Sequence, residues 1–299
     1  MTLISPASTP ATAETVPSET IGDYPLLRVI ACGAMGVLYE SLHPHTNQRI
    51  ALKVLRRDLL DAGDTEGFLA RFREEARIAA DLDHAGIVAV YDYGAAAGHA
   101  YIAMEYVDGC SLQDCFQRKV TFSPADAVLI LVQLLAALQH AHDRGVWHRD
   151  IKPANVLITQ GGQVKIADFG IAAARASAFQ DPEDIMGTPG YIAPETYLSD
   201  TYDERVDVFA AGAVLYQLLA GVPAFLGTAQ QVMLQVCYEE PLPPSMASGL
   251  PALRKYDAIV LRAMAQRPQE RYSSAAGFRE ALLRAHDAST NLTIVNPSE

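Results

Sequence analysis

The segment from His148 to Glu195 constrains this chain more than any other. It opens with His148-Arg149-Asp150-Ile151-Lys152-Pro153-Ala154-Asn155 and runs into an apolar stretch, Val156-Leu157-Ile158. A second alternating stretch, Val164-Lys165-Ile166-Ala167, precedes Asp168-Phe169-Gly170, with Gln160-Gly161-Gly162-Gln163 between the two. Two short runs around paired glycines predict a hairpin, glycine supplying the turn. Asp150, Lys152 and Asn155 then stand just before the first strand, and Asp168 just after the second. Two carboxylates, an amide and an ammonium are expected to converge at one end of these strands. Oxygen ligands of that kind suit a hard, partly hydrated cation shared with phosphates, Mg²⁺ being the natural candidate. A lysine beside a carboxylate can offset charge on a phosphoryl oxygen in transit.

Ala193-Pro194-Glu195 closes the segment. Together the three stretches resemble the protein kinase signature H-R-D-x-x-x-x-N, D-F-G and A-P-E, in order and at family spacing. The resemblance is strongest to bacterial serine/threonine kinases of the eukaryotic-like class and covers roughly residues 21 to 287. It implies an α+β, two-lobed fold: a small antiparallel β-sheet lobe with one helix over residues 21–105, a hinge at 105–108, and a larger helical lobe over 108–287. Residues 1–20, poor in groups to bury, are expected to be a disordered tail, and residues 288–299 a polar one.

Half of the residues are hydrophobic, enough for a sizeable core, and 299 residues suffice for two lobes. The net charge of −12 leaves no basic stripe for nucleic acid. Cys32, Cys110, Cys115 and Cys237 show no paired spacing with histidine and are expected to be reduced thiols; Cys110 and Cys115 lack the second pair that a metal site needs. No apolar run is expected to reach the roughly 20 residues of a membrane span. The start of the chain does not resemble a secretory signal, so the expected location is cytoplasmic, with tethering only if the chain is part of a longer one.

Ala31-Cys32-Gly33-Ala34-Met35-Gly36-Val37-Leu38 resembles the kinase glycine-rich loop, with Ala31 in place of the first glycine and Leu38 in place of the usual valine. Glycines there let backbone N–H groups approach phosphates. Cys32 is expected to be a small apolar filler, a redox-sensitive thiol being the alternative. Ile50-Ala51-Leu52-Lys53 resembles the family's V-A-I-K strand. A lysine among apolar neighbours needs a partner. The helix expected over Asp64 to Leu82 places Glu75 on the stripe of Phe68, Phe72 and Ala79, whereas Glu74 points away. Lys53–Glu75 is therefore the expected pair, Glu74 the runner-up. Strands are expected at Ile87–Tyr93 and His99–Tyr106 around Gly94–Gly98. The resemblance makes Met104 the gatekeeper behind the adenine, with the Glu105 carbonyl and the Val107 N–H meeting the base; Ala51 and Leu157 are further expected cofactor-binding residues.

Ser123-Pro124 predicts a helix start, and Val128, Leu131, Leu135 and Leu138 its buried stripe. A second apolar helix is expected from Asp203 to Gly221, and a last one capped by Ser273 and ending near Asp287. By resemblance, Asp207 accepts hydrogen bonds from the catalytic-loop backbone, though a first-turn aspartate favoured by the helix dipole is the plainer alternative. Arg271 is the expected partner of Glu195.

The family's chemistry assigns Asp150 to accept the substrate hydroxyl proton, Lys152 to follow the γ-phosphoryl oxygens, and Asn155 and Asp168 to hold Mg²⁺, with Mn²⁺ as a substitute. Lys152-Pro153 and Thr188 resemble the serine/threonine branch, so ATP and serine or threonine side chains of proteins are the expected substrates, with autophosphorylation and dimerisation during it. A nucleotide-binding pseudokinase scaffold and a small-molecule phosphotransferase are the alternatives. Ser111, Ala154 and Gln217 stand where arginine-directed members carry acidic residues, which predicts no strong preference for arginine ahead of the target. Arg149 normally meets a phosphate on the activation segment. Between Gly170 and Gly187 the only hydroxyl is Ser177, while Asp181, Glu183 and Asp184 cluster there. Either one of these carboxylates stands in for phosphate against Arg149, or this is an ordinary solvated acidic loop with regulation through Ser177 or a partner.

Overall fold

A computed structural model of the chain describes residues 19–33, 36–56, 65–96, 98–169, 189–199 and 201–287, excluding the side chains of residues 65, 66, 68, 71 and 75. The chain forms two compact units. Of the described residues, one unit contains those within 19–109 with 159–162 and 168–169, and the other those within 110–158, 163–167 and 189–287.

The first unit is built on strands. A two-residue hairpin, β1 (Thr20–Ile21) and β2 (Tyr24–Pro25), precedes β3 (Arg28–Gly33), β4 (Gly36–Leu42) and β5 (Arg49–Leu55). Helix α1 (Thr65–Ala80), β6 (Val90–Ala96) and β7 (His99–Glu105) complete it. The five longer strands form one antiparallel sheet in the order β3-β4-β5-β7-β6. Strand alternation decides what β5 offers to each face. Ile50, Leu52 and Val54 form a buried cluster with Ile21, Tyr24 and Leu26 of the β1–β2 segment. Ala51 and Lys53 therefore point the other way, and α1 packs on β6, the edge strand beyond β7.

Strand β6 starts three residues later than the sequence predicted and runs through Gly94 to Ala96. Ile87 and Val88 are buried but lie outside the strand: Ile87 makes only an isolated β-bridge, its N donating to His84 O at 2.9 Å in a turn. The small residues at 94–96 extend the ladder because Tyr101 lies over them: a Cβ on Gly94 would meet Tyr101 Oη at 2.9 Å. That is a close approach only glycine allows within a strand.

The second unit is mainly helical. It begins with β8 (Gly109–Ser111), α2 (Leu112–Gln117) and α3 (Pro124–His142), followed by β9 (Val156–Thr159) and β10 (Val164–Ile166). Then come α4 (Pro194–Leu198), α5 (Arg205–Ala220), α6 (Ala229–Tyr238), α7 (Pro244–Ala247), α8 (Arg254–Ala263) and α9 (Ala275–Asp287). The expected hairpin is present: β9 and β10 pair antiparallel with Val156 opposite Ile166. Ser123 caps α3 by accepting from Asp126 N, with Pro124 in the first turn. Helix α3 buries more than the predicted stripe, adding Ala127, Ile130, Leu134, Ala137 and Ala141, because α5, α9 and β10 all pack against it. At 19 residues it is also long and apolar enough to cross a membrane by length and composition, contrary to expectation, although half of that window is buried inside the molecule. Every residue of α5 from Val206 to Leu219 is buried, and Gly221 ends the helix at φ 75°. Helix α9 begins one residue later than predicted. Ser274, not Ser273, faces its first turn and accepts from Gly277 N at 3.1 Å.

Candidate active site

Each unit brings part of the predicted set together. In the helical unit the segment before β9 is folded around Asp207. This carboxylate is fully buried at the first turn of α5 and accepts from His148 N at 2.8 Å and Arg149 N at 2.7 Å. His142, at the end of α3, donates from Nε2 to the same group at 2.8 Å. Burial alone would raise the Asp207 carboxyl. The hydrogen bond from His142, with the backbone N–H of His148, outweighs it and holds the group below the usual carboxylate range. Arg149 sits at φ 65°, a left-handed conformation rare for arginine, and its bond to Asp207 helps to keep it there.

His148 is wholly buried and links the loop to the hairpin. Its Nδ1 accepts from Asp150 N at 3.2 Å, so Nε2 carries the proton that goes to the Ala167 carbonyl at 2.8 Å. Asp150 is held from two sides. Lys152 Nζ lies 2.9 and 2.7 Å from its two carboxylate oxygens. Asn155 Nδ2 donates to the Asp150 carbonyl at 2.8 Å and to Oδ2 at 3.2 Å. Both bonds use the amide nitrogen, so Asn155 Oδ1 faces away and accepts nothing from the described residues. The Arg149 guanidinium lies 5.3 Å from the centre of the Trp147 ring.

In the strand unit, Lys53 Nζ donates to Asp168 Oδ1 at 2.7 Å, and both side chains are largely shielded from solvent. Asp168 takes φ 63°. Phe169 is buried and, with Ala79, Val88, Ile102 and Met104, lines a cavity of about 20 Å³. That is room for about one water, with the Met104 side chain on its wall. Val107 N makes no hydrogen bond among the described residues, so this half-buried donor is available to a base. Gly33 and Gly36 flank the loop as paired ends of β3 and β4. Gly36 has a second reason to be glycine: a Cβ there would lie 2.1 Å from Val54 O on β5. Cys32 is exposed, as is all of β3, so it is not the apolar filler expected: β3 is the edge of its sheet and buries none of its residues.

Several predicted residues lie outside the described set: Ala34, Met35, Gly170, Ser177, Asp181, Glu183, Asp184 and Thr188, and the side chain of Glu75. Glu74, the runner-up partner of Lys53, is on the solvent side of α1 and pairs with Arg77 at 2.7 Å. Glu195 and Arg271 form the buried two-pronged pair the sequence suggested, at 2.6 and 2.7 Å. Ser111 caps α2 through Asp114, and Gln217 is buried and accepts from the Tyr191 hydroxyl. Leu38, Ala51 and Leu157 lie on β4, β5 and β9, with Leu38 opposite Lys53 and Ala51 opposite Met104.

Sequence reasoning missed two groups. His142 was readable only as one of the two basic residues closing α3. Tyr106, between Glu105 and Val107, accepts from Arg28 Nη2 at 3.2 Å and lies under Arg49 at 4.0 Å. Glu40 clamps both arginines, at 2.6 and 2.9 Å. Nothing short of the sheet register would have joined these four residues.

Each unit by itself offers groups of a kind that suits a nucleotide or a divalent cation: the strand unit a spare N–H at residue 107 and a carboxylate beside a lysine at Asp168, the helical unit an amide oxygen turned outward at Asn155. Among the described residues no cluster of three or more His, Cys, Asp or Glu side chains forms a cage of its own. A cation that shares its ligands with phosphates and water needs none.

The fold and these motifs define a protein kinase domain, and the sequence matches that family over residues 24–282. The chain belongs to it, with a β-sheet lobe and a helical lobe. It is 40% identical over 282 residues to the serine/threonine-protein kinase PknB of Mycobacterium tuberculosis, covering 91% of this chain and 44% of that protein. The PknB of Mycolicibacterium smegmatis is 39% identical with the same coverage, and a probable PknB of Bifidobacterium longum is 37% identical over 88% of this chain and 39% of its own length. The chain thus spans less than half the length of these curated relatives.

Proposed function

We propose that this chain transfers the γ-phosphoryl group of ATP to serine or threonine hydroxyls of proteins, itself included, in bacterial signalling, and that Mg²⁺ is its metal. The observation that carries this reading is the Asp150 carboxylate, fixed by Lys152 and Asn155 on a loop that Asp207 pins from beneath. A carboxylate so held can accept the proton of an attacking hydroxyl. Lys152, already beside it, can turn its charge to a phosphoryl oxygen as negative charge moves there. Asn155 and Asp168 would hold the divalent cation, which when bound neutralises phosphate charge. Lys53 would meet the α- and β-phosphates, with Glu75 as its counter-ion in the active state. Met104, Glu105 and Val107 would line the adenine. The serine/threonine assignment is supported by Lys152-Pro153 and by the relatives, which are named for that activity.

Transfer of labelled phosphate from Mg·ATP to the protein and to generic Ser/Thr substrates tests this. Asp150→Asn should reduce it by roughly two orders of magnitude or more. ATP binding without transfer in the unaltered chain would favour a nucleotide-binding scaffold instead. Mn²⁺ titrated against Mg²⁺ separates the metals. We also infer that one carboxylate among Asp181, Glu183 and Asp184, which lie outside the described residues, substitutes for phosphate as the counter-charge to Arg149; charge reversal of all three that leaves activity untouched would remove that assignment.

A further inference from the structure

Cys110 and Cys115 lie in the helical unit, outside the residues assigned to phosphoryl transfer, and their Sγ atoms are 3.5 Å apart. The turn between them explains the approach. Ser111 caps α2 by accepting from Asp114 N at 3.1 Å, while Asp114 Oδ2 accepts from Ser111 N at 3.0 Å. This reciprocal box fixes the chain direction from β8 into α2 and brings both thiols to one side of the first turn. Their environments differ. Cys110 is partly exposed, whereas Cys115 is 7% exposed and packed inside the unit.

We propose that Cys110 and Cys115 are a dithiol modification site, which peroxide converts to an intramolecular disulfide across the start of α2. Cys110, the sulfur that solvent reaches, is attacked first. Its thiol and H₂O₂ give a sulfenic acid and water, the sulfur being oxidised and the peroxide O–O bond reduced. The Cys115 sulfur then bonds to the Cys110 sulfur, the sulfenic oxygen leaves with the Cys115 proton as a second water, and the disulfide remains. Overall two thiols and one peroxide give one disulfide and two waters. Closing 3.5 Å to an S–S bond of about 2.05 Å requires a movement that side-chain rotation in a turn can supply. Burial, with the neighbouring Cys110 sulfur, pushes the Cys115 thiol up to about 12, so Cys115 reacts poorly with outside oxidants and serves as the resolving partner. At this distance it also outcompetes any thiol in solution.

The chain contains its own test. No Lys or Arg lies between Arg77 and Arg118, so trypsin releases both cysteines in one peptide, separate from those with Cys32 and Cys237. The folded full chain is treated with graded H₂O₂, remaining thiols are alkylated under denaturing conditions, and the digest is weighed. The expected result is that peptide 78–118 loses both alkylation sites together and becomes about 2 Da lighter than its dithiol form, reversibly with dithiothreitol. Exposed Cys32 reports the dose. In Cys115→Ser, Cys110 should accumulate as a sulfenic acid trapped by dimedone; in Cys110→Ser, Cys115 should stay alkylatable. Melting curves identify a variant that has not folded, and the unaltered chain decides without it. The proposal is overturned if the two sites oxidise independently, if they remain thiols after Cys32 is consumed, or if the disulfide joins two chains. None of these readouts depends on phosphoryl transfer.

Discussion

Asp207 ties the segment before β9 to α5 and to the end of α3 through one side chain. It satisfies two backbone N–H groups and His142 at once. Asp207→Ala should leave these donors buried and unpaired, at a cost of about 3 kcal/mol measured by urea unfolding. Activity should fall further than stability alone explains, because Arg149 and Asp150 hang from the same loop. The acid limb of stability carries the same signature. The folded carboxyl lies below its unfolded value of about 3.9, so its contribution is complete above that pH and is lost as pH falls through the folded value. Urea midpoints between pH 3 and 7 should therefore decline toward acid in the unaltered chain, and Asp207→Asn should lack part of that decline. The role of Asp207 was legible only through the family resemblance, since a first-turn aspartate is also explained by the helix dipole. His142 was not, since a histidine near a helix end satisfies the dipole equally well.

At the scale of elements, two glycines decide how closely neighbours approach. On β4, a methyl group at Gly36 would overlap the Val54 carbonyl on β5, and backbone cannot move aside as a side chain does. Gly36→Ala should destabilise the strand unit by about 1–3 kcal/mol and raise the KM for ATP, because the loop it anchors would shift; thermal melting and initial rates check both. On α5, a Cβ at Gly212 would meet Ala263 Cβ and Met264 Cγ at 2.9 Å. Met264 can swing away, Ala263 on α8 cannot. Gly212→Ala should cost about 1–3 kcal/mol in melting, with KM values little changed. The existence of both elements was readable from apolar period and turn residues, whereas these contacts were not. Gly36 looked like a phosphate-loop glycine, and only the register of β4 on β5 shows its packing role. The same blindness displaced β6: Gly94-Ala95-Ala96 has the composition of a loop, and pairing with β7 overrides it.

For the whole molecule, fold class followed from three ordered motifs, while the links among Arg28, Glu40, Arg49 and Tyr106 required the three-dimensional sheet. Charge is the property at this scale that bears on substrates. A net charge of −12 attracts any cationic peptide, wherever it binds. Specific recognition of arginine ahead of the target would instead need carboxylates at fixed positions. At those positions Ser111 is engaged in the α2 cap, Ala154 has no polar group, and Gln217 is buried against Tyr191. The two sources of preference respond differently to salt. A diffuse field is screened over about 10 Å at 0.1 M and less at higher ionic strength, whereas a close charge pair is screened much less. Matched peptides with arginine or alanine before the target should therefore differ at low salt and converge to within about twofold in kcat/KM at roughly 0.3 M. An arginine preference that persists undiminished at that salt would reveal a carboxylate in contact with the peptide. The cluster of Asp181, Glu183 and Asp184 would then be the first place to look for it.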